Sequence, residues 1–235
     1  MLKVLKGIKK MKLWKLTSAA IAFVLISTNA NAALIGRLPA TEGGADFQAY
    51  YDTDADLTWL SDANYALTSG YHLAAFRGQM NWFTANTWAE SLIINGVDGW
   101  RLPDTILPDQ SCDTTNALGE SYGYNCTGSE LGNLFYNVLG NSAGELTNTG
   151  PFSNLTGFYW SATEVASVDV AAWGMNIFGQ QTAQGKNLSF FGWAVHSGDV
   201  SAVPIPASVW LFFSGLISLI GVIRINNKNN SNEKI

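Results

Sequence analysis

Two apolar runs bracket a mixed middle. Residues 16–26 are apolar apart from Thr17 and Ser18, and residues 209–223 carry no charge. Between them, hydrophobic positions come in short groups separated by Gly, Asn, Asp, Ser and Thr. Residues 33–42 read as a lead-in. Residues 47–51 read as a strand and 57–60 as its returning partner. The link between them, Asp52-Thr53-Asp54-Ala55-Asp56, is first of all a turn, because Asp side chains accept from nearby backbone amides. The spacing of Asp52, Asp54 and Asp56 also matches the opening of an EF-hand loop. Leu57 stands where that loop requires Gly, and Ala63 where it requires the bidentate Glu. Ca²⁺ is therefore a secondary reading at these three residues, and no cofactor is expected.

Residues 71–80 read as a polar loop. Asn81 is placed to cap a helix running to residue 94, with Ala85, Trp88, Ala89 and Leu92 on one apolar face. Asn95-Gly96 is expected to stop it. A second helix has a capping-box pattern in Thr127-Gly128-Ser129-Glu130. Leu131, Leu134, Phe135, Val138 and Leu139 follow at helical spacing, and Gly140 closes the run. After residue 152 the pattern shortens to strands at 158–161, 171–178 and 190–195. Two helices followed by a run of strands predict an α+β domain with short antiparallel strands.

The chain ends carry sorting information. Lys3, Lys6, Lys9, Lys10, Lys12 and Lys15 precede the first apolar run, and Ala30-Asn31-Ala32 follows it. This is the layout of a secretory signal peptide, residues 1–32. The second run, 209–223, spans about 22 Å as a helix, while a bilayer core takes roughly 20 residues. Counting 206–225 reaches that length. A transmembrane helix over 209–225 follows, with Arg224, Lys228 and Lys234 on the cytoplasmic side and residues 226–235 as a tail. The competing reading is a buried helix of a soluble domain. Ahead of it lies Val203-Pro204-Ile205-Pro206-Ala207, whose prolines favour an extended strip. This motif, the following apolar helix and the basic end resemble the PEP-CTERM sorting signal in its Val-Pro-Leu-Pro-Ala variant. The resemblance, over 201–208 and the helix, implies an exosortase partner and a Gram-negative, exported protein. The domain then lies outside the inner membrane, anchored by its C-terminal helix or released to the surface or matrix after tail processing.

Charge sharpens this picture. Of 13 Lys and Arg, only Arg37, Arg77, Arg101 and Lys186 fall in the exported stretch, against 17 of the 18 acidic residues. A net charge of about −13 there repels nucleic acid and anionic polysaccharide and suits neutral glycans or bridging divalent cations. It also simply keeps a domain soluble. Cys112 and Cys126 lie in a loop-like region and are expected to pair in an oxidising compartment, closing a loop that stabilises by about 3 kcal/mol. The rival reading is a free thiol pair.

A series of short motifs then becomes visible: Met80-Asn81-Trp82, Trp88-Ala89, Gly99-Trp100-Arg101-Leu102-Pro103, Tyr124-Asn125-Cys126-Thr127-Gly128-Ser129-Glu130, Tyr159-Trp160-Ser161-Ala162-Thr163-Glu164 and Trp193-Ala194-Val195. In this order they resemble the C-terminal domain of Lcl-type collagen-like adhesins, over 52–200, with 33–51 as lead-in and first strand. The resemblance implies a C-type-lectin-like fold, related to the formylglycine-generating enzyme group. His196 departs from it, standing where Arg is expected. The sulfated-glycan ligand associated with those adhesins does not fit a domain near −13.

Seven tryptophans, at 59, 82, 88, 100, 160, 173 and 193, fall in the exported stretch. Indoles stack on sugars and equally fill cores. Trp160, Trp173 and Trp193 on the late strands, with Ser161 and Glu164 nearby, are the expected ligand site. Arg101 is either a fork for a ligand carboxylate or an internal salt bridge. His72 and His196 lack metal-ligand spacing and read as surface residues, and no Gly-x-Ser-x-Gly motif appears. A non-catalytic binding module for exopolysaccharide or matrix is the first expectation. A carbohydrate-active or protein-modifying enzyme on the same fold, or a structural matrix protein, is the alternative.

The exported form should begin at Ala33. N-terminal sequencing of the mature protein checks this, and a mature form retaining residues 1–32 overturns the signal-peptide assignment.

Overall fold

The computed structural model describes residues 34–71 and 76–200. The expected signal peptide over 1–32, the expected sorting motif Val203, Pro204, Ile205, Pro206 and Ala207, and the expected helix over 209–225 all lie outside the described residues. Among the described residues no helix is long and apolar enough to cross a membrane.

Strands β1 (Leu34–Pro39), β2 (Phe47–Asp52) and β3 (Leu57–Leu60) form a meander. The 33–42 segment is thus no mere lead-in, because β1 pairs antiparallel with β2 from Leu34 opposite Asp52 to Pro39 opposite Phe47. After the one-turn helix α1 (Tyr65–Thr68), helix α2 covers Trp82–Glu90. Asn81 caps α2 as expected: its side chain accepts the Thr84 N–H at 2.9 Å. The expected apolar face is buried at Ala85, Trp88, Ala89 and Leu92. The helix stops at Glu90, short of 94. Asn95 and Gly96 act one step later, with φ of 49° and 83°, as the two-residue turn between Ile94 and Val97. Both central residues need φ > 0 in a turn of this kind, which Asn-Gly accepts.

Short strands follow: β4 (Trp100–Arg101), β5 (Thr114–Thr115) and β6 (Ser121–Tyr122). Helix α3 (Glu130–Gly132) runs directly into a π-helical turn, Asn133–Val138. The capping box does not form. Ser129, not Thr127, is the cap residue, and no side chain caps the backbone. Glu130 turns instead to Arg101, and the Ser129 hydroxyl donates to Gln181 at 2.6 Å. The wider π turn aims both Leu134 and Phe135 into the core. Gly132 is required here, since a Cβ would stand 1.7 Å from the Cys126 carbonyl oxygen.

Strands β7 (Phe158–Glu164), β8 (Ala171–Asn176) and β9 (Gln181–Gly185) make a three-stranded antiparallel sheet with an irregularity between Trp160 and Glu164. β9 is unannounced, because Gln-Thr-Ala-Gln-Gly lacks strand-like apolar alternation. The expected strand over 190–195 shrinks to bridges at Phe190 and Phe191, and β10 (Val195–Ser197) lies at its far end. β10 inserts between β3 and β4, completing a five-stranded sheet in the order β1-β2-β3-β10-β4. The described chain is therefore α+β, with short antiparallel strands.

Its last residues return to the first strand. Arg37 clasps the Asp199 carboxylate through Nε and Nη2, both at 2.7 Å. All seven tryptophans of residues 34–200 are buried. Cys112 and Cys126 form a disulfide as expected.

The turn after β2 carries a fully buried carboxylate. Asp52 Oδ1 accepts the N–H groups of Asp54 and Ala55 at 3.1 and 3.2 Å, while Oδ2 has no partner. Burial pushes the Asp52 carboxyl above its ordinary value, against the pull of its two backbone donors. The folded state therefore takes up this proton more readily than the unfolded chain. The resulting stability is complete at low pH and is lost as pH rises through the folded-state value. Wild type should accordingly gain on Asp52→Asn as pH falls from 7 through about 4. Thermal unfolding of both across that range checks this, and parallel curves overturn it.

Candidate functional site

The residues expected to form a ligand surface do not share one. Trp160 is fully buried, donating from Nε1 to the Met80 carbonyl at 2.9 Å and lying edge-on to Phe158 and Phe190. Trp193 donates to the Leu60 carbonyl at 2.8 Å and packs among Trp59, Phe152 and Tyr159. Trp173 and Ser161 are also buried. The Ser161 carbonyl accepts from Trp82 Nε1 at 2.8 Å. As placed, none of these indoles offers a face to a ligand.

Arg101 forms the internal fork. Its Nη1 and Nη2 donate to the two carboxylate oxygens of Glu130 at 2.8 and 2.7 Å, and Asp104 lies 3.3 Å away. The bond to Glu130 leads the factors raising the Arg101 pKa above its ordinary value, and burial raises that of Asp104. Glu130 also accepts the Asp104 N–H at 2.7 Å, so the fork fastens β4 to the start of α3. Asp52 serves the turn, Asp56 accepts from the Tyr51 hydroxyl at 2.8 Å, and Asp54 is exposed. Among the described residues, the only set of three or more His, Cys, Asp or Glu side chains with converging ligand atoms is Asp109 with Cys112 and Cys126, whose sulfurs are joined in the disulfide. His196 is half-buried on β10, edge-on to Trp100, and is not the surface residue expected. His72 lies outside the described residues.

A different place gathers solvent-facing chemistry. An open cleft of about 470 Å³ lies between the start of α2 and the open end of the β8–β9 hairpin, lined by Phe83, Asp169, Val170, Gly185, Lys186 and Asn187. Its walls are tied together by backbone. The Trp82 N–H donates to the Lys186 carbonyl at 3.0 Å, and the Lys186 N–H to the Val170 carbonyl at 2.9 Å. Phe83 follows Trp82 in the first turn of α2 and therefore projects outward, 59% exposed beside the buried indole.

Lys186 forms the cleft floor and is 5% exposed. Its ammonium pairs with Glu164 at 3.0 Å and donates to the Asp169 carbonyl at 2.5 Å. It lies 4.7 Å from the Trp82 ring centre and 5.8 Å from that of Phe83. A buried ammonium needs such partners, so this one is neutralised within the fold. Of the residues expected at a site, only Glu164 reaches this cleft, through its pair with Lys186. Phe83, Asp169 and Asn187 were missed. The available signal was Trp82-Phe83, two large aromatics in the first turn of a helix that needs only one of them for its buried face.

Compared with protein-family models, with curated proteins and with solved structures, the chain matches none.

Replacing Arg101 by Lys keeps the charge but cannot span both Glu130 oxygens. Arg101→Lys should cost about 1–2 kcal/mol of unfolding free energy. Urea denaturation measures this, and wild-type stability in the variant would show that the fork contributes nothing.

Proposed function

We propose that this chain is an exported, non-catalytic binding module of a Gram-negative envelope. Its outer domain has a C-type-lectin-like fold akin to the Lcl-type adhesins and contacts extracellular polysaccharide or matrix. The signal peptide carries it across the inner membrane. The Pro-Ile-Pro strip and apolar helix hold it there or hand it to an exosortase, which releases it to the surface.

The observation that carries the binding reading is the cleft beside Phe83. It combines an exposed aromatic ring, a neutralised floor and exposed polar side chains on a strongly acidic domain. Aromatic surface with a few placed polar groups is the usual make-up of a small-ligand cleft. The end-to-end clasp of Arg37 on Asp199 suits a domain suspended by a C-terminal stem, because it fastens the last described strand region to the first.

The test is retention of the full chain, in mild detergent, on exopolysaccharide from the producing cells, with Ca²⁺ and again with EDTA. Retention in both is the expected result. Retention lost in EDTA would replace aromatic and polar recognition with a metal bridge through acidic groups such as Asp54. No retention in either would overturn the polysaccharide reading.

A further inference from the structure

Resting on that binding reading, we infer that the cleft between α2 and the β8–β9 hairpin is a subsite for one unit of an uncharged pyranose chain, with Phe83 as its stacking platform. Three observations converge on this ligand class.

The first is the platform. Phe83 is 59% exposed, and Val170 across the cleft is 68% exposed. A large ring held open to water in a first helical turn is fixed from below, edge-on to Trp82 at 5.3 Å. The apolar C–H face of a pyranose can cover such a ring without any induced change.

The second is the set of polar groups at the rim. Among the described residues, the Asp169 carboxylate and the Asn187 side-chain amide have no hydrogen-bond or ion-pair partner. Both residues are exposed and line the cleft. The Asn187 Oδ1 lies 3.0 Å from where a Gly185 Cβ would stand, so glycine at 185 leaves room for that amide. A carboxylate accepts from hydroxyls, and an amide both donates and accepts, which together match a vicinal diol.

The third is charge. The floor ammonium is already paired with Glu164, and the Asp169 carboxylate remains at the rim. An anionic sugar entering here would meet uncompensated negative charge. A neutral one would not, and its hydroxyls would find acceptors.

The probes are cellohexaose, maltohexaose and mannohexaose as neutral chains and hexagalacturonate as an acidic one, titrated into the full chain in mild detergent. At least one neutral probe should bind, and hexagalacturonate should bind more weakly than it. Phe83→Ala should weaken the neutral probe about tenfold, the scale of one lost aromatic stack, with an unchanged thermal midpoint. Phe83→Trp should bind as tightly as wild type or tighter. Asn187→Ala should weaken binding several-fold.

Equal affinity of wild type and Phe83→Ala for the neutral probes and for the cells' own exopolysaccharide would overturn the subsite while leaving the binding-module reading intact. Preference for hexagalacturonate would overturn the neutral-ligand assignment. Failure of the native chain to bind either the probes or the exopolysaccharide would overturn the binding reading, and the subsite with it.

Discussion

Among the described residues, four of the seven buried indoles, Trp82, Trp100, Trp160 and Trp193, donate their N–H to a backbone carbonyl, while Nε1 of Trp59, Trp88 and Trp173 has no partner. Three of the four bonds tie distant parts of the chain together. Trp82 donates to the Ser161 carbonyl and Trp160 to the Met80 carbonyl, so the entrance to α2 and strand β7 hold each other by two reciprocal bonds. Trp193 donates to the Leu60 carbonyl, joining segments 133 residues apart. Trp100 satisfies itself locally on the Val97 carbonyl. Each bond places a large apolar surface in the core and fixes its orientation, since a misplaced indole would lose both packing and acceptor. Phe190 and Met80 add a backbone pair beside the Trp82–Trp160 exchange. The cleft depends on this arrangement. With Trp82 held inward by Ser161, the next residue, Phe83, is left outside.

The same economy governs charge. Three of the four cations among residues 34–200 are committed within the fold: Arg37 to Asp199, Arg101 to Glu130 and Asp104, and Lys186 to Glu164. Each joins segments apart in sequence, the end of the described chain to β1, β4 to α3, and the residue after β9 to β7. Scarce positive charge is spent on tertiary closure, which leaves the surface acidic and gives an anionic ligand little to bind. Taking ion pairs partly out of water costs desolvation that geometry must offset. The bidentate contacts at Arg37 and Arg101 supply that geometry.

Where local pattern alone decided the outcome, sequence reasoning was a good guide. The Asn81 cap, the Ala85–Trp88–Ala89–Leu92 face, the β2–β3 pair around the Asp52 turn and the Cys112–Cys126 link all depend on residues close together along the chain. It failed where a distant partner outbid a local one. Glu130 is well spaced to complete a capping box, but Arg101, 29 residues earlier, offers a charge-assisted fork instead. Trp160 and Trp193 look like sugar platforms in a list of strand residues, and nothing local says that Met80 and Leu60 will accept their N–H groups. β9 escaped notice because its strand character comes from pairing with β8, while its composition is that of a turn.

The amino-acid sequence by itself determined what is encoded by period, spacing and composition: an α+β domain, a paired cysteine link and an acidic stretch between the two apolar runs. Which side chains face inward was decided only by tertiary structure. Burial is a contest among all seven indoles and every phenylalanine for the same interior, and only the assembled packing shows the winners. Trp82 goes in and Phe83 stays out although they are neighbours. One indole reaches a carbonyl 79 residues away, and the adjacent ring has no place left beneath it.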